Sequence, residues 1–198
     1  MELIFATNNQ HKVDEIRFAL RSALNIKTLK QAGIDIDIEE PFETLEENAK
    51  EKCRVIYDLT HSACFSEDTG LEVLALGGAP GVRSARYAGE PPNPQANIEK
   101  LLKELKDKSV RDARFRTVIC LVLEEKEYIF EGTCEGRITY SQEGSNGFGY
   151  DPVFIPAGAD KTFAEMEIDE KNRYSHRQKA ANQLVLLLQQ RFITKTQN

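Results

Sequence analysis

The stretch ARFRTVICLVLEEKEYIFEGTCE, residues 113–135, decides the fold class. It holds two long runs, Ala113–Glu124 and Glu127–Glu135, whose β-branched, aromatic and other apolar residues are typical of strands. Only a short polar turn, Glu125-Lys126, separates the two runs, so the stretch predicts a β-hairpin. A hairpin brings an antiparallel pair into the sheet, and this argues against a purely parallel arrangement.

Strands and helices alternate on both sides of this hairpin. The segment Glu2–Ala6 predicts a short buried strand, and the apolar spacing after it predicts a helix. Further predicted elements are a helix from a capping box at Thr44 and Glu47, a strand Ala63–Ser66 ending at Glu67-Asp68, a helix from Asn93-Pro94, a strand in DPVFI (residues 151–155) and a helix from a capping box at Ser175 and Gln178. The alternation predicts an α/β fold with a mixed sheet. Residues 1–198 are expected to form a single domain with a polar tail after about residue 193.

Composition argues against several classes of protein. The chain has 198 residues, of which 40% are hydrophobic and 29% charged, as expected for a globular protein with one substantial core. Its net charge is −6, so no nucleic acid partner is expected. The first residues lack a basic segment and a long apolar run, and no stretch approaches about 18 apolar residues, so neither a secretory signal nor a membrane partner is predicted. The expected location is cytoplasmic.

The four cysteines have no CxxC spacing and lie in apolar segments, which indicates core thiols rather than a metal site. We expect them to be reduced, as in a cytosolic protein. They are Cys53, Cys64, Cys120 and Cys134.

The segment TNNQHK, residues 7–12, joins the first predicted strand to the first helix. Thr7, Asn9 and Lys12 offer a hydroxyl, an amide and an ammonium group beside the backbone N–H groups of a helix start, and such groups bind phosphate. The GxxxxGK[ST] pattern of a Walker A loop is absent. An ordinary capped turn between a strand and a helix explains the same residues, and this alternative stays open.

Acidic residues lie at two predicted junctions between a strand and a loop. They are Glu40 and the pair Glu67-Asp68. Magnesium is held in proteins by one or two carboxylates together with substrate phosphates and water, and a further carboxylate beside it can accept a proton from an attacking water. Glu40 lies in the acidic run IDIDIEEPFETLEE and is explained equally by a solvated surface. Asp68 follows an apolar strand directly, which favours a functional role.

The motif FGYDP, residues 148–152, follows a glycine-rich loop. Phe148 and Tyr150 offer aromatic faces for a base, and exposed backbone groups offer hydrogen bonds to its edge. A β-turn with two core aromatic residues is the alternative interpretation.

His176 and Arg177 lie in the first turn of the last predicted helix, shortly after Lys171. The helix dipole disfavours cations at this end, so the two basic side chains gain nothing for helix stability. An anionic or acceptor-rich ligand would explain them, and a solvated polar turn is the alternative.

Together these segments resemble the inosine triphosphate pyrophosphatase family, whose members act on non-standard purine nucleoside triphosphates. The matching pieces follow the family's order and are TNNQHK, FETLEENAKEKC, SEDTGLEVLALGGAPGVRSARYAG, GFGYDP and KNRYSHR. The resemblance covers about residues 3–190. It implies an α/β fold with a mixed sheet in two lobes around a deep nucleotide-binding cleft, and it implies a homodimer.

The resemblance also implies roles for individual residues. The triphosphate-binding positions fall on Thr7, Asn9, Lys12 and Lys52. A magnesium ligand falls on Glu40, and the metal-linked catalytic carboxylate falls on Asp68. The base-binding positions are Phe148, Gly149, Tyr150, Asp151, Lys171, His176 and Arg177. Further substrate contacts are predicted at Asn8, Gln10, His11 and Thr69.

The implied activity is Mg²⁺-dependent hydrolysis of dITP, ITP and XTP to the nucleoside monophosphate and pyrophosphate. We expect donors from Arg177 and the backbone of Phe148–Asp151 to face the 6-oxo oxygen of the purine. The same donors would stay unpaired opposite the amino group of adenine, and such a mismatch costs orders of magnitude in rate.

The sequence departs from the family pattern at two places. Asn8 stands where many members have glycine, and Pro41-Phe42 stand where others often have Thr-Gly.

Two alternative functions stay open. They are a septum-formation-type pyrophosphatase acting on modified pyrimidine nucleotides, and a nucleotide-binding regulatory module without catalysis. The SHR and SEDTG motifs argue against the first, and the presence of both Lys12 and Asp68 argues against the second.

Overall fold

The computed structural model describes residues 2–20 and 24–196, which form strands and helices in alternation. The strands are β1 (Glu2–Phe5), β2 (Asn25–Thr28), β3 (Cys64–Val73), β4 (Pro80–Gly81), β5 (Asp112–Leu123), β6 (Lys126–Ile138) and β7 (Phe154–Pro156). The helices are α1 (Gln10–Leu20), α2 (Leu45–Thr60), α3 (Pro94–Glu104), α4 (Ile168–Tyr174) and α5 (His176–Thr196). No helix in this part of the chain is long and apolar enough to cross a membrane.

The strands form a mixed sheet. Its order is β2-β1-β3-β5-β6-β7, with β4 paired to β3 outside this path. Strand β1 pairs in parallel with both β2 and β3, whereas β3–β4 and β6–β7 are antiparallel pairs. The predicted α/β fold with a mixed sheet is therefore confirmed.

The predicted hairpin is formed by β5 and β6, with its turn one residue earlier than expected. The two connecting residues are Glu124 and Glu125, with φ of 52° and 62°. Positive φ at both central residues is the backbone of a type I′ turn, whose twist matches that of the flanking strands. Sequence did not locate this turn because glutamate is not a usual residue at positive φ, where asparagine and glycine are preferred.

Strand β3 is longer than predicted, and this changes the setting of the acidic pair. The sequence predicts a strand that ends at Glu67-Asp68, but β3 continues to Val73. Both carboxylates therefore project from the middle of a strand rather than from its end. The short elements β2, β4 and α4 were not predicted.

The predicted helix starts are close to those observed. Thr44 accepts the N–H of Glu47, and its hydroxyl donates to the Glu47 carboxylate over 2.7 Å. Asn93 accepts the N–H of Ala96, with Pro94 in the first turn. Helix α5 begins directly after Ser175, but the Ser175 N–H, which a capping box would direct to Gln178, donates to the Lys171 carbonyl and closes α4.

Chain contacts divide the described residues into two compact units. Unit 1 contains the chain up to Asp68, Thr117–Gly132 and the chain from Arg177 onwards. Unit 2 contains Thr69–Arg116 and Thr133–His176. The boundaries separate Asp68 from Thr69 and His176 from Arg177, so two of the motifs contribute residues to both units. The single domain expected for residues 1–198 stays a prediction.

Each unit has its own apolar core. In unit 1, Phe5 of β1 stacks on Phe65 of β3, with ring centroids 4.3 Å apart, and α1 and α5 add apolar side chains such as Ile16 and Leu184. In unit 2, Phe154 packs against Phe115 and Phe163, with centroids 4.7 and 5.2 Å away. These cores hold β3, which carries Glu67, Asp68 and Thr69 of the candidate site.

The four cysteines are free and buried, as predicted. The Cys53 thiol donates to the Cys120 carbonyl over 3.0 Å. Burial raises the pKa of the Cys53 thiol. The pKa of the Cys120 thiol is raised by the hydrogen bond with Cys53 and by burial. Both thiols therefore stay protonated and act as core residues.

Gly136 is the point where strand β6 meets β7 most closely. A Cβ atom there would clash with the Ile155 carbonyl oxygen and would lie 2.6 Å from a ring carbon of Phe154. We expect Gly136→Ala to lower the free energy of unfolding by about 1–3 kcal/mol, the usual cost of overpacking. Urea titration followed by circular dichroism measures this change. The neighbouring exposed variant Glu135→Ala is the control, and equal stability of the two variants would contradict the close packing.

Candidate active site

Strand β3 presents its polar residues to two different sets of partners. Successive side chains of a strand point to opposite faces, so Ser66 and Asp68 share one face and Glu67 occupies the other. The Ser66 hydroxyl donates to the Ala49 carbonyl of α2, and Asp68 contacts Lys52 of the same helix. Glu67 contacts Lys12 of α1 and Arg177 of α5. All of these residues belong to unit 1.

Glu67 is a completely buried carboxylate with two cationic partners. Lys12 Nζ lies 2.9 Å from Oε1, and Arg177 Nε lies 2.7 Å from Oε2. Arg177 also donates through Nη1 to Glu15, a buried residue of α1. Burial raises the pKa of Glu67, but Arg177 and Lys12 outweigh it and hold the pKa well below its usual range. Glu67 is therefore ionised, and both of its oxygens are bonded within the protein.

Asp68 has a different environment from its neighbour. Its Oδ1 atom lies 3.2 Å from Lys52 Nζ, which also bonds to the Glu40 carboxylate. The other oxygen, Oδ2, is buried and has no hydrogen-bond partner among the described residues. Burial raises the pKa of Asp68, and the cations Lys52 and Lys12 offset this only in part. Asp68 is thus a carboxylate with an unsatisfied oxygen and increased basicity.

Lys52 holds the two carboxylates together. Burial lowers its pKa, but Asp68 and Glu40 outweigh this, so the pKa is raised and the amine is charged. Lys52 and Glu40 are twelve residues apart in sequence, and the fold brings them into direct contact.

The turn of residues 7–12 makes several local hydrogen bonds. Asn9 accepts the Lys12 N–H through Oδ1 at 3.3 Å and so caps α1, and Thr7 Oγ1 accepts the Asn9 N–H. Asn8 donates to the Ile36 carbonyl over 3.0 Å. Gln10 and His11 are exposed. The capped-turn interpretation thus describes Asn9 correctly, while the phosphate-binding role of the turn stays a prediction.

A second group of predicted residues lies in unit 2. Asp151 accepts the Phe148 N–H at 2.9 Å and pairs with Lys171 at 2.6 Å, both through Oδ2. The Lys171 ammonium lies 5.4 Å from the centroid of the Phe148 ring, which is half-buried. Gly147 has φ of 75° and no room for a Cβ beside Asp151. The motif is thereby folded tightly around the Asp151 carboxylate.

Tyr150 requires a correction. The prediction that its ring offers an open face for a base is wrong, because Tyr150 is only 4% exposed and packs in the unit 2 core. Its hydroxyl donates to the Ser84 carbonyl at 2.9 Å. Phe148 is left as the accessible aromatic residue of the motif. Among the described residues, the backbone N–H groups of Gly149 and Tyr150 make no hydrogen bond, so both remain available as donors.

The two basic residues at the start of α5 are buried rather than solvated. His176 belongs to unit 2 and stacks on Phe115, with ring centroids 4.7 Å apart and an interplanar angle of 12°. Arg177 belongs to unit 1 and is held by Glu67 and Glu15. The argument that a ligand is needed to explain a cation here is wrong for Arg177, since protein carboxylates supply the negative charge. Thr69, the remaining predicted residue, is half-buried in β3.

Glu15 was missed at the sequence level. It lies three residues after Lys12 on α1, so both side chains project from one helix face. This spacing could have drawn attention to Glu15 in the sequence. It did not identify Arg177 as the partner of Glu15, because the sequence does not show that Arg177 lies nearby.

The donor set of unit 1 fits a hard divalent cation. No group of three or more His, Cys, Asp or Glu in the described residues could hold a metal by itself. Magnesium, however, is usually held by only one or two carboxylates. The buried, unpartnered Oδ2 of Asp68, with Glu40 on the same lysine, is a donor pair of that kind.

The buried charge of Glu67 predicts a pH-dependent contribution to stability. We expect Glu67→Gln to lower the free energy of unfolding at pH 7 by about 3–5 kcal/mol, because it leaves Arg177 and Lys12 with less compensation. A depressed carboxyl pKa stabilises the fold above the unfolded-state pKa, near 4.3, and this contribution is lost as pH falls below it. The difference between wild type and variant should therefore shrink between about pH 5 and pH 3.

Denaturant titrations across this pH range measure the effect. The control is Glu2→Gln, which removes a surface pair with Lys27 whose two side chains are both more than 40% exposed. It should change stability by no more than about 1 kcal/mol. A Glu67→Gln difference that stays constant from pH 7 to pH 3 would contradict the assignment to an ionised carboxylate.

Comparison with known proteins relates nearly the whole chain to a family. The model of the Ham1 family matches residues 3–187. A protein of Flavobacterium johnsoniae named dITP/XTP pyrophosphatase is 48% identical over 188 residues, which are 95% of this chain and 98% of that protein. A protein of Porphyromonas gingivalis with the same name is 50% identical over 184 residues, or 92% and 95% of the two chains.

Solved structures of Ham1 proteins are also similar to this chain. The Ham1 protein of Staphylococcus aureus is 38% identical with a TM-score of 0.87, and the match covers 96% of this chain and all of that one. A HAM1 protein from Coxiella burnetii is 37% identical with the same TM-score, over 96% and 99% of the two chains. Since sequence, family model and fold agree over nearly the whole length, the chain belongs to the Ham1 family.

Proposed function

We propose that this protein hydrolyses the non-standard purine nucleoside triphosphates dITP, ITP and XTP to the monophosphate and pyrophosphate, in a magnesium-dependent reaction that cleanses the nucleotide pool. That it is an enzyme, a hydrolase of nucleoside triphosphates, follows from its family and from the names of its relatives. The substrate list and the metal are the parts that we add.

One observation carries the proposal: the Oδ2 atom of Asp68 is buried and has no hydrogen-bond partner within residues 2–20 and 24–196. Leaving a charged oxygen in this state costs free energy, and native proteins retain such atoms chiefly where a ligand, ion or water completes them. Glu67, the adjacent carboxylate, is fully paired. The contrast supports Asp68, and not Glu67, as the functional acid.

The residues of unit 1 suit hydrolysis at phosphorus. Glu40 and Asp68 would hold the magnesium ion, which when bound would neutralise charge on the phosphate oxygens. Asp68 would accept a proton from the attacking water, and its raised pKa favours this step. The water oxygen forms a bond to the α-phosphorus, and the bond to the pyrophosphate oxygen breaks. Lys12 and Lys52 would stabilise the charge that develops on the leaving pyrophosphate.

The unit 2 group suits recognition of the base. Phe148 would stack on the purine ring, and stacking accepts every base. Selectivity would come from donors, and the Gly149 and Tyr150 N–H groups and the Lys171 ammonium are the candidates. Arg177, the donor expected from sequence, already gives Nε and Nη1 to carboxylates. It therefore contributes to the proposed site mainly by holding Glu67.

The expected homodimer and cytoplasmic location are part of the same proposal and rest on the family resemblance. Light scattering on the purified protein tests the first.

A pyrophosphate-release assay tests the function directly. With Mg²⁺, we expect turnover of dITP, ITP and XTP to exceed that of dATP by at least about 100-fold, the scale of rejection when a polar site meets the wrong group. EDTA should abolish release. Asp68→Asn should lose at least about 10²-fold in kcat, because the amide keeps the shape and loses basicity.

The matched control is Asp58→Asn, a surface change on α2. It should leave kcat unchanged. Preference for a modified pyrimidine triphosphate would support the septum-formation-type alternative. Tight dITP binding without turnover would support a regulatory module. Full activity of Asp68→Asn would exclude Asp68 as the proton acceptor.

Two lysines separate phosphate binding from base recognition. Lys12→Met should lower kcat/KM for dITP and dATP by the same factor, because both carry the same triphosphate. Lys171→Met should lower kcat/KM for dITP more than for dATP, compressing discrimination by about 1–3 kcal/mol, the cost of an unpaired buried partner. Steady-state kinetics on variants with wild-type circular dichroism measure both ratios. The reverse pattern would exchange the two roles.

A further inference from the structure

The segment that carries Glu40 has little regular structure of its own. Residues 34–44 form neither helix nor strand, and Pro41, Phe42 and Glu43 are exposed. Ile34 is buried at the start of this segment, but Phe42 is 39% exposed, so burial in the core does not fix the part of the segment next to Glu40. Something else must hold Glu40 at Lys52.

Asn48 of α2 holds the segment by its backbone. Its Oδ1 atom accepts the Phe42 N–H at 3.0 Å, and its Nδ2 atom donates to the Phe42 carbonyl at 3.0 Å. The opposite assignment of the amide would face donor with donor and acceptor with acceptor, so the orientation is determined. Asn48 is only 1% exposed. One side chain thus satisfies both polar backbone groups of Phe42.

Helix geometry links this clamp to the candidate metal ligands. Asn48 and Lys52 are four residues apart on α2 and therefore share one face. Asn48 bonds to Phe42, and Lys52 bonds to Glu40, two residues earlier in the segment. Asparagine is a poor helix former in a helix interior, because its side chain competes for backbone hydrogen bonds. The hydrogen bonds to Phe42 explain the presence of Asn48 at this position, since asparagine does not stabilise the helix.

We propose that Asn48 is a positioning residue that sets the divalent-cation affinity of the Glu40 and Asp68 carboxylates by fixing the backbone of residues 40–42. This inference rests on the metal-binding part of the proposed function. Asn48 touches neither carboxylate and acts through the segment that it clamps.

Three measurements on Asn48→Ala test the proposal. In metal-free protein, hydrogen exchange in peptides spanning residues 34–44 should become faster. By calorimetry with Mn²⁺ alone, the Kd should rise by about 10-fold or more, the range typical for loss of a residue that orients a metal ligand. In the assay, the Mg²⁺ concentration for half-maximal rate should rise likewise, with kcat at saturating Mg²⁺ changed less. Asn48→Ser, which keeps one polar group, serves if Asn48→Ala does not fold.

Thr44→Ala is the matched control, because it removes the cap of the same helix without touching Phe42. It should lower the melting temperature and leave the Kd for Mn²⁺ within twofold of wild type. A folded Asn48 variant with the same Kd as Thr44→Ala would overturn the proposal, as would a wild-type protein that binds no Mn²⁺. The protein could bind Mn²⁺, lose that binding in Glu40→Gln, and still release no pyrophosphate. This result would refute the proposed function, and the Mn²⁺ affinities of the Asn48 variants would then decide the present inference.

Discussion

The burial of the Glu67 carboxylate is the constraint on which the rest of unit 1 depends. A charge removed from water must be paired, and Glu67 obtains its partners from Lys12 on α1 and from Arg177, 110 residues further along the chain. These bonds fasten the middle of β3 to the starts of two helices. Because strand side chains alternate, fixing Glu67 on one face also fixes Asp68 on the other, toward Lys52 of α2.

Two adjacent acids therefore have opposite tasks. Glu67 is held ionised by cations and is saturated with hydrogen bonds, which suits a structural ion pair. Asp68 has a raised pKa and an oxygen without a partner in the described part of the chain, which suits exchange of a proton or a cation. The environments of the two carboxylates, rather than their residue types, account for these different tasks.

Sequence predicted the mixed sheet, the central hairpin and the helix starts at Thr44, Asn93 and Ser175, because strand and cap signals are local. It also pointed to Lys52, Glu40 and Asp68, which the fold brings into contact. It expected an open ring at Tyr150 and a ligand beside Arg177, and it overlooked Glu15 and Asn48. The partners of these residues lie far away in the chain or on the backbone of an irregular segment. Local patterns hold no information on those contacts, and the substrate roles of the site residues remain predictions.

The four buried cysteines have a practical consequence. Because a thiol reacts as its thiolate, residues such as Cys53 and Cys120, whose protonated form is favoured by the interior, should be silent toward maleimides and other alkylating reagents while the protein is folded. A single cysteine introduced at an exposed position, for example at Ser141, would then be the sole labelling site. A fluorophore or spin label could thus be attached at one chosen point without first replacing any of the four native cysteines.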